Sequence, residues 1–472
     1  LNLGQILIWS EQLFDYEAHA MSKRKLFGTD GIRGKANIYP MTCEIAMKLG
    51  RAVTFYFQSQ KMARPLIVLG KDTRRSCYML EQAFSAGVCS QGGEVILTGP
   101  LPTPGVAFVT RSMRAEAGVV ISASHNVYHD NGIKIFDAQG HKLPDEVELE
   151  LERMVLDQAL VPVQIGPDLG SAKRLDEVIG RYIVQVKSVF DDKYDLEGMR
   201  IVVDCANGAS YKVAPMIFSE LGAEVFKIGT SPNGTNINDG CGSLHPEVCR
   251  GEIKKYRADL GICLDGDADR VVIIDGDGRV LDGDEIIGIL AKQLLDQKVI
   301  KKDDEVVGTV MSNLGLERYI ESLGLRFYRA QVGDRYVVER MRNSGAVLGG
   351  EPSGHILLTK YSTTGDGLIA ALKVIECMKY YNRSLRELAS VVKLYPQEMK
   401  NVMVKHKPPL GEVKEIQQAI VAAEQRLQDK GRLIVRYSGT ESLLRVMVEG
   451  EDKKMVTEIC NELVAVVTEA LG

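Results

Sequence analysis

One supersecondary unit occurs three times along the chain and limits what it can fold into. An apolar run at 66–70 (Leu-Ile-Val-Leu-Gly) is followed by a polar loop at 71–76 (Lys-Asp-Thr-Arg-Arg-Ser), an amphipathic stretch, a Gly-Gly turn at 92–93 and a second apolar run at 94–97. The same order returns at 200–204, 205–208 (Cys-Ala-Asn-Gly), 221–222 and 224–228, and again at 305–310, 311–315 (Met-Ser-Asn-Leu-Gly), 323–324 and 325–328. Each unit reads as strand, loop, helix and strand over about thirty residues. Alternating strands and helices imply mixed or parallel sheets covered by helices. The expected class is therefore α/β, with three related domains at 21–175, 176–279 and 280–394. The chain changes character near 395. An apolar-polar run at 398–404, a helical stretch at 411–429, strands at 431–436 and 443–449 and a last helix from about 452 predict a smaller α+β domain, 395–472. In open α/β sheets ligands gather at the carboxyl ends of strands, where the three polar loops fall.

Charge and cysteine content narrow the function. Lys and Arg number 58 against 63 Asp and Glu, a net charge of −5 over 472 residues. This lacks the basic excess of a nucleic-acid binder, while local clusters can still hold an anion. Nine cysteines, an odd count with no C-x-x-C pair, suit reduced thiols in a cytoplasmic protein. No apolar run reaches the length of a membrane span. Residues 1–20 lack the basic start and apolar centre of a signal peptide. They read as an upstream extension outside the fold, with Met21 the natural beginning.

Five motifs carry chemistry. A strand at 117–121 runs into Ser-Ala-Ser-His-Asn at 122–126, exposing a hydroxyl at a sheet edge beside His125 and, later in the loop region, Lys134. A serine needs such a neighbour, or a metal, to act as a nucleophile; alone, the run would serve equally as a polar turn. A strand at 258–263 leads to Leu-Asp-Gly-Asp-Ala-Asp-Arg at 264–270. Asp265, Asp267 and Asp269 alternate in a tight loop, an oxygen-only set suited to Mg²⁺. An EF-hand is excluded, because Arg270 stands where its loop needs glycine and Gly276 where it needs a bidentate glutamate. At 436–441, Arg-Tyr-Ser-Gly-Thr-Glu with Arg445 beyond offers hydroxyls, backbone N–H groups and guanidinium forks to a phosphate. At 349–355, Gly-Gly-Glu-Pro-Ser-Gly-His combines donors and acceptors fit for sugar hydroxyls. At 27–34, Phe-Gly-Thr-Asp-Gly-Ile-Arg-Gly adds the cation Arg33. Each of the last three could also be an ordinary turn.

Taken together and in this order, the five motifs resemble the α-D-phosphohexomutase superfamily, over essentially residues 21–472. A finer likeness, to bacterial members that act on glucosamine phosphate, rests on 27–34, Val-Gly-Asp-Arg-Tyr-Val at 332–337 and 445–450. The resemblance implies four domains around a central cleft and a phosphorylated Ser124. It implies Mg²⁺ held by Asp265, Asp267, Asp269 and the phosphoserine, and Arg33 and Arg270 near the transferring group. Glu351, Ser353 and His355, with Asp334 and Arg335, would contact the sugar. Arg436, Ser438, Gly439, Thr440 and Arg445 would hold the other phosphate. Lys134 and His125 are the acid–base candidates, and the lysine's pKa is expected to be lowered by nearby cations and burial. The implied partners are a sugar phosphate, a glucosamine or glucose 1,6-bisphosphate primer and a second copy in a homodimer. Three positions depart from the family pattern: Val127, Ser442 and Pro352, all in loops. Other readings remain: a phosphomannomutase or phosphoglucomutase; an aspartyl-phosphate phosphatase using Asp265, although the usual hydroxyl two residues past Asp267 is Asp269; and a non-catalytic sugar-phosphate sensor.

Overall fold

The computed structural model describes residues 24–60, 64–438 and 442–472; the extension expected at 1–20 lies outside them. Among the described residues, strands fall into four sheets. The first takes β1 (Phe27–Gly28), β2 (Gly31–Lys35), β3 (Leu66–Lys71), β4 (Glu94–Pro100), β5 (Ala117–Ile121), β6 (Asp130–Asp137) and β7 (Ala172–Arg174), in the order β1-β2-β6-β5-β3-β4-β7. β5, β3, β4 and β7 run parallel, and β6 turns back antiparallel to both β5 and β2. The five residues of β5 are all buried, as expected for a strand covered on both faces. On one face the helices Cys43–Ser59 and Arg75–Ser90 lie almost backbone to backbone. A Cβ at Gly87 would sit 2.1 Å from the carbonyl oxygen of Met47, so only glycine permits that approach.

The second sheet holds β8 (Arg200–Asp204), β9 (Glu224–Ile228), β10 (Leu260–Leu264), β11 (Val271–Asp275) and β12 (Val280–Leu281), ordered β12-β11-β10-β8-β9. β12 carries this sheet just past the boundary expected at 279, because Val280 and Leu281 pair with β11 before the helix Gly283–Asp296 begins. The third holds β13 (Glu305–Thr309), β14 (Arg326–Ala330), β15 (Leu348–Gly350) and β16 (Ile356–Leu358), ordered β14-β13-β15-β16. The three sheets are mixed. The fourth, β17 (Gln397–Met403), β18 (Gly431–Tyr437) and β19 (Leu443–Gly450), is wholly antiparallel, with β19 central.

One apolar core runs through the first three units. The helix Gly367–Tyr381 is its pillar: its first eleven residues are all buried, including the ion pair of Lys373 with Glu376 at 2.5 Å. The tail domain has a separate core and docks on the third polar loop. Leu314 N–H donates to Glu449 Oε1 at 2.7 Å, and Arg432 donates to the carbonyls of Val310 and Ser312 at 2.7 and 2.5 Å. Under that loop Asp284 accepts the N–H of Asn313 at 2.6 Å. Burial, and then the charge of Asp282, push the Asp284 carboxyl up to about 7 from an ordinary 3.8. A carboxyl raised in the fold is held neutral there. Its burden on stability is complete above pH 7 and fades as pH falls toward the unfolded value. Asp284→Asn should therefore be more stable than wild type at pH 8 and lose that advantage by about pH 4, read from paired urea melts. A pH-independent difference would remove this assignment.

Candidate active site

The site forms where β5, β10 and the third unit's loops meet. Ser124 follows the buried strand β5 and is itself 1% exposed, with its backbone in the left-handed region at φ 50°. Its hydroxyl donates to Asp265 Oδ2 at 2.6 Å and lies 3.4 Å from His125 Nδ1. Asp265, Asp267 and Asp269 occupy the tight connection from β10 to β11. All are buried, and one oxygen from each lies within 4.8 Å of the others. Burial, then the charges of Asp269 and Asp267, push the Asp265 carboxyl well above the ordinary range. Asp267 Oδ1 and Asp269 Oδ1 are buried with no hydrogen-bond partner. Orphaned carboxylate oxygens facing one point fit a hard cation.

Cations ring this cluster. Lys134, on β6 opposite Val120 of β5, sits 3.1 Å from Asp267, 3.2 Å from Asp30 and 3.5 Å from Asp269. Its expected downward shift is not what this environment produces. Burial does press it down, but the carboxylates of Asp267, Asp30 and Asp269 outweigh burial and raise it. Sequence reading foresaw the burial and missed Asp30. Burial, then Arg270 and Arg33, lower His125 to about 4. Arg33 pairs with Asp30. Arg270 donates its backbone N–H to Asp265 Oδ1 at 3.2 Å, and Nε of both arginines is buried without a hydrogen-bond partner.

A cavity of about 450 Å³ opens beside these groups. Arg33, Asp269, Arg270, Asp334, Glu351 and His355 line it, and Arg335 does too. Glu351 Oε1 accepts the N–H of Gly333 at 3.1 Å. His355 is 1% exposed, with Nδ1 3.7 Å from Asp269 and Nε2 3.7 Å from Asp334. Asp334 pairs with Lys142, and Arg335 donates to Glu148 at 2.7 Å. Burial raises Glu148 to about 8 despite Arg24 and Lys142. Ser353, expected on the sugar, is exposed and does not line the cavity. The turn from Glu351 to His355 points its middle residue outward.

In the tail, Arg436 of β18 stands opposite Arg445 of β19. Burial and then the like charge of Arg445 lower Arg436 from its ordinary value. Ser438 is buried, and its carbonyl accepts from Lys407 at 2.7 Å. Gly439 and Thr440 lie outside the described residues. Neither Arg436, Ser438 nor Arg445 lines the cavity. Sequence reading also missed Thr103, whose hydroxyl donates to Asp267 at 2.7 Å, and Lys142. Thr103 opens the helix Thr103–Ser112 just after β4, and Lys142 follows β6; a place close behind a strand end is the one signal that could have raised them.

Comparison with known proteins agrees with the architecture. Phosphoglucomutase/phosphomannomutase profiles match in four pieces: alpha/beta/alpha domain I over residues 24–160, domain II over 180–278, domain III over 282–395 and the C-terminal domain over 399–466. A phosphoglucosamine mutase of Pelobacter propionicus is 51% identical over 450 residues, 95% of this chain and 99% of its own. One from Desulfotalea psychrophila is 52% identical over 441 residues, 93% and 98% of the two chains. Among solved structures, a phosphoglucomutase/phosphomannomutase family protein of Burkholderia thailandensis aligns with a TM-score of 0.79 at 21% identity, covering 94% of this chain and 97% of that one.

Proposed function

The chain belongs to the phosphoglucomutase/phosphomannomutase family, and on that premise we propose that it acts as a phosphoglucosamine mutase, interconverting glucosamine 6-phosphate and glucosamine 1-phosphate. The observation that carries the reading is the hydroxyl of Ser124 at 2.6 Å from a buried three-aspartate loop. In the working enzyme Ser124 carries a phosphoryl group. Its Oγ–P bond breaks as a bond from phosphorus to a free hydroxyl of the sugar monophosphate forms. The hydroxyl proton leaves to a base, for which His125 and Lys134 are the candidates: His125, lowered to about 4, is neutral and can accept it, while Lys134 must first give up the proton its carboxylate neighbours hold on it. The resulting 1,6-bisphosphate turns around, and its other phosphate goes back to Ser124.

Phosphoryl transfer asks the protein mainly for positioning and charge neutralisation. Arg33 and Arg270, which line the cavity beside the aspartate loop, are assigned to the spreading negative charge. Asp265, Asp267 and Asp269 would hold Mg²⁺, which when bound supplies a Lewis acid for phosphoryl oxygens. Glu351 and His355 with Asp334 and Arg335 orient the sugar. Arg436, Ser438 and Arg445 are assigned to the distal phosphate, so that both orientations of the substrate present the same handle to the tail domain. Ser353 is kept in the sugar loop only through its exposed position. A trace of glucosamine or glucose 1,6-bisphosphate would load Ser124. All nine cysteines are free, and no described helix is long and apolar enough to cross a membrane; this supports a cytoplasmic enzyme. A homodimer belongs to the same proposal.

The test is kcat/KM for glucosamine, glucose and mannose phosphates with Mg²⁺ and primer. A preference of about 10²-fold or more for glucosamine phosphate is expected, the scale at which an enzyme discriminates a single substituent of its substrate. Preference for glucose or mannose phosphate would move the enzyme to a sister activity with the same chemistry.

A further inference from the structure

The loop of Ser124 is gripped by two side chains that its own motif does not contain. Arg74, from the first polar loop, is 0% exposed. Its Nη2 donates to the carbonyls of Ser124 and Asn126 at 3.1 and 2.6 Å, its Nε to that of Asp130 at 2.9 Å, and its Nη1 to Asp72 at 3.1 Å. Asn238 reaches in from the second unit, and its Nδ2 donates to the same two carbonyls, Ser124 at 2.8 Å and Asn126 at 2.9 Å. The other side of the peptide is held as well. Ser124 N–H donates to Ser122 Oγ at 3.0 Å, and Ser122 Oγ donates to Asp72 Oδ2 at 2.6 Å. The ring closes where Asp72 pairs with Arg74.

Both backbone groups of Ser124 are thus fixed, at a φ of 50° that a serine leaves when nothing holds it. The metal loop closes on the same point: a Cβ at Gly266 would lie 2.6 Å from the Ser124 carbonyl and 2.8 Å from Asn238 Nδ2. A buried arginine–aspartate pair is a poor way to fill a core, because desolvation consumes its attraction. Its value here is directional. Neither Arg74 nor Asn238 lines the cavity, and neither touches the Ser124 hydroxyl.

We propose that Arg74 and Asn238 are positioning residues, a clamp from two domains that aims the Ser124 hydroxyl at the metal loop and so sets turnover rather than affinity. This rests on the reading of Ser124 as the phosphoryl carrier. The test compares Arg74→Lys, Asn238→Ala and the double variant as full-length enzyme. Each single variant should lose about tenfold or more in kcat with KM for the hexose phosphate within about threefold. Loading of Ser124 by glucose 1,6-bisphosphate, followed by intact mass, should slow in parallel. Since both residues hold the same two carbonyls, the double variant should lose little more than the worse single one. Near-UV circular dichroism establishes that the variants are folded, and if Arg74→Lys does not fold, Asn238→Ala carries the same readouts. Folded variants with unchanged kcat, a rise in KM at constant kcat, or a double variant that loses the product of the singles would overturn the clamp. A wild type that loads Ser124 but prefers another hexose phosphate leaves the clamp standing and removes only the sugar assignment. A wild type that never loads Ser124 overturns both.

Discussion

Ser124→Ala is expected to abolish turnover, with kcat falling by about 10⁴-fold or more, the scale at which a covalent catalyst loses its nucleophile. The geometry leaves no substitute. The nearby hydroxyl of Ser122 is spent on Asp72 at 2.6 Å, and that of Thr103 on Asp267 at 2.7 Å. His125 Nδ1 lies 3.4 Å from the Ser124 oxygen, whereas the contact of that oxygen with the metal loop is made by Asp265. The variant should fold, because the backbone of residue 124 is held by Ser122, Arg74 and Asn238 through main-chain atoms that alanine keeps. A coupled mutase assay, a thermal melt and the intact mass after incubation with sugar bisphosphate read the three parts of this expectation. Phosphate gained by the alanine variant, with activity retained, would move the carrier to Asp265 and revive the aspartyl-phosphate mechanism.

The second large effect combines a loss of rate with a gain of stability. Asp265→Asn should lower kcat by about 10²- to 10³-fold, the several kcal/mol expected of a phosphoryl-neutralising cation. Without added metal the same variant should melt higher than wild type. Among the described residues Asp265 makes no ion pair, and burial with Asp269 and Asp267 beside it outweighs the help of Arg270 and makes its charge unwelcome in the folded protein. Asparagine keeps the shape and removes that charge. Adding Mg²⁺ should raise the wild-type melting temperature and leave the variant nearly unmoved, since a ligand stabilises only the state that binds it. Equal stabilisation of both proteins by Mg²⁺, or a kcat within tenfold of wild type, would show that Asp265 is not a ligand.

Asp269 illustrates why the cluster is not uniform. Burial would raise it, but Lys134 and then His355 hold it well below the ordinary carboxylate range. Asp265 and Asp269, identical in type and four residues apart, are therefore pushed in opposite directions because different neighbours reach them. Lys134 carries the same lesson in reverse. Nearby cations and burial are expected to lower it, yet Asp267, 133 positions away, faces it at 3.1 Å.

What the sequence by itself determined was everything carried by short-range order. Apolar runs, Gly turns and polar loops recurring three times dictate strand–helix–strand units, because each run must bury and each loop must stay at a strand end. The alternation at 265–269 places three carboxylates together whatever surrounds them, and β5 leads into Ser124; the hydroxyl expected to be exposed at a sheet edge is instead buried at the end of a central strand. Tertiary structure alone decided which of these local devices meet. Ser124 and Asp265 are 141 positions apart, and Thr103 and Asp267 are 164 apart. No periodicity encodes such pairings; they follow from how buried helices such as Gly367–Tyr381 lock three sheets around one core. The pKa directions, the outward turn of Ser353 and the grip of Arg74 and Asn238 on one peptide are consequences of that packing, for desolvation and Coulomb attraction act through space and take no account of distance along the chain.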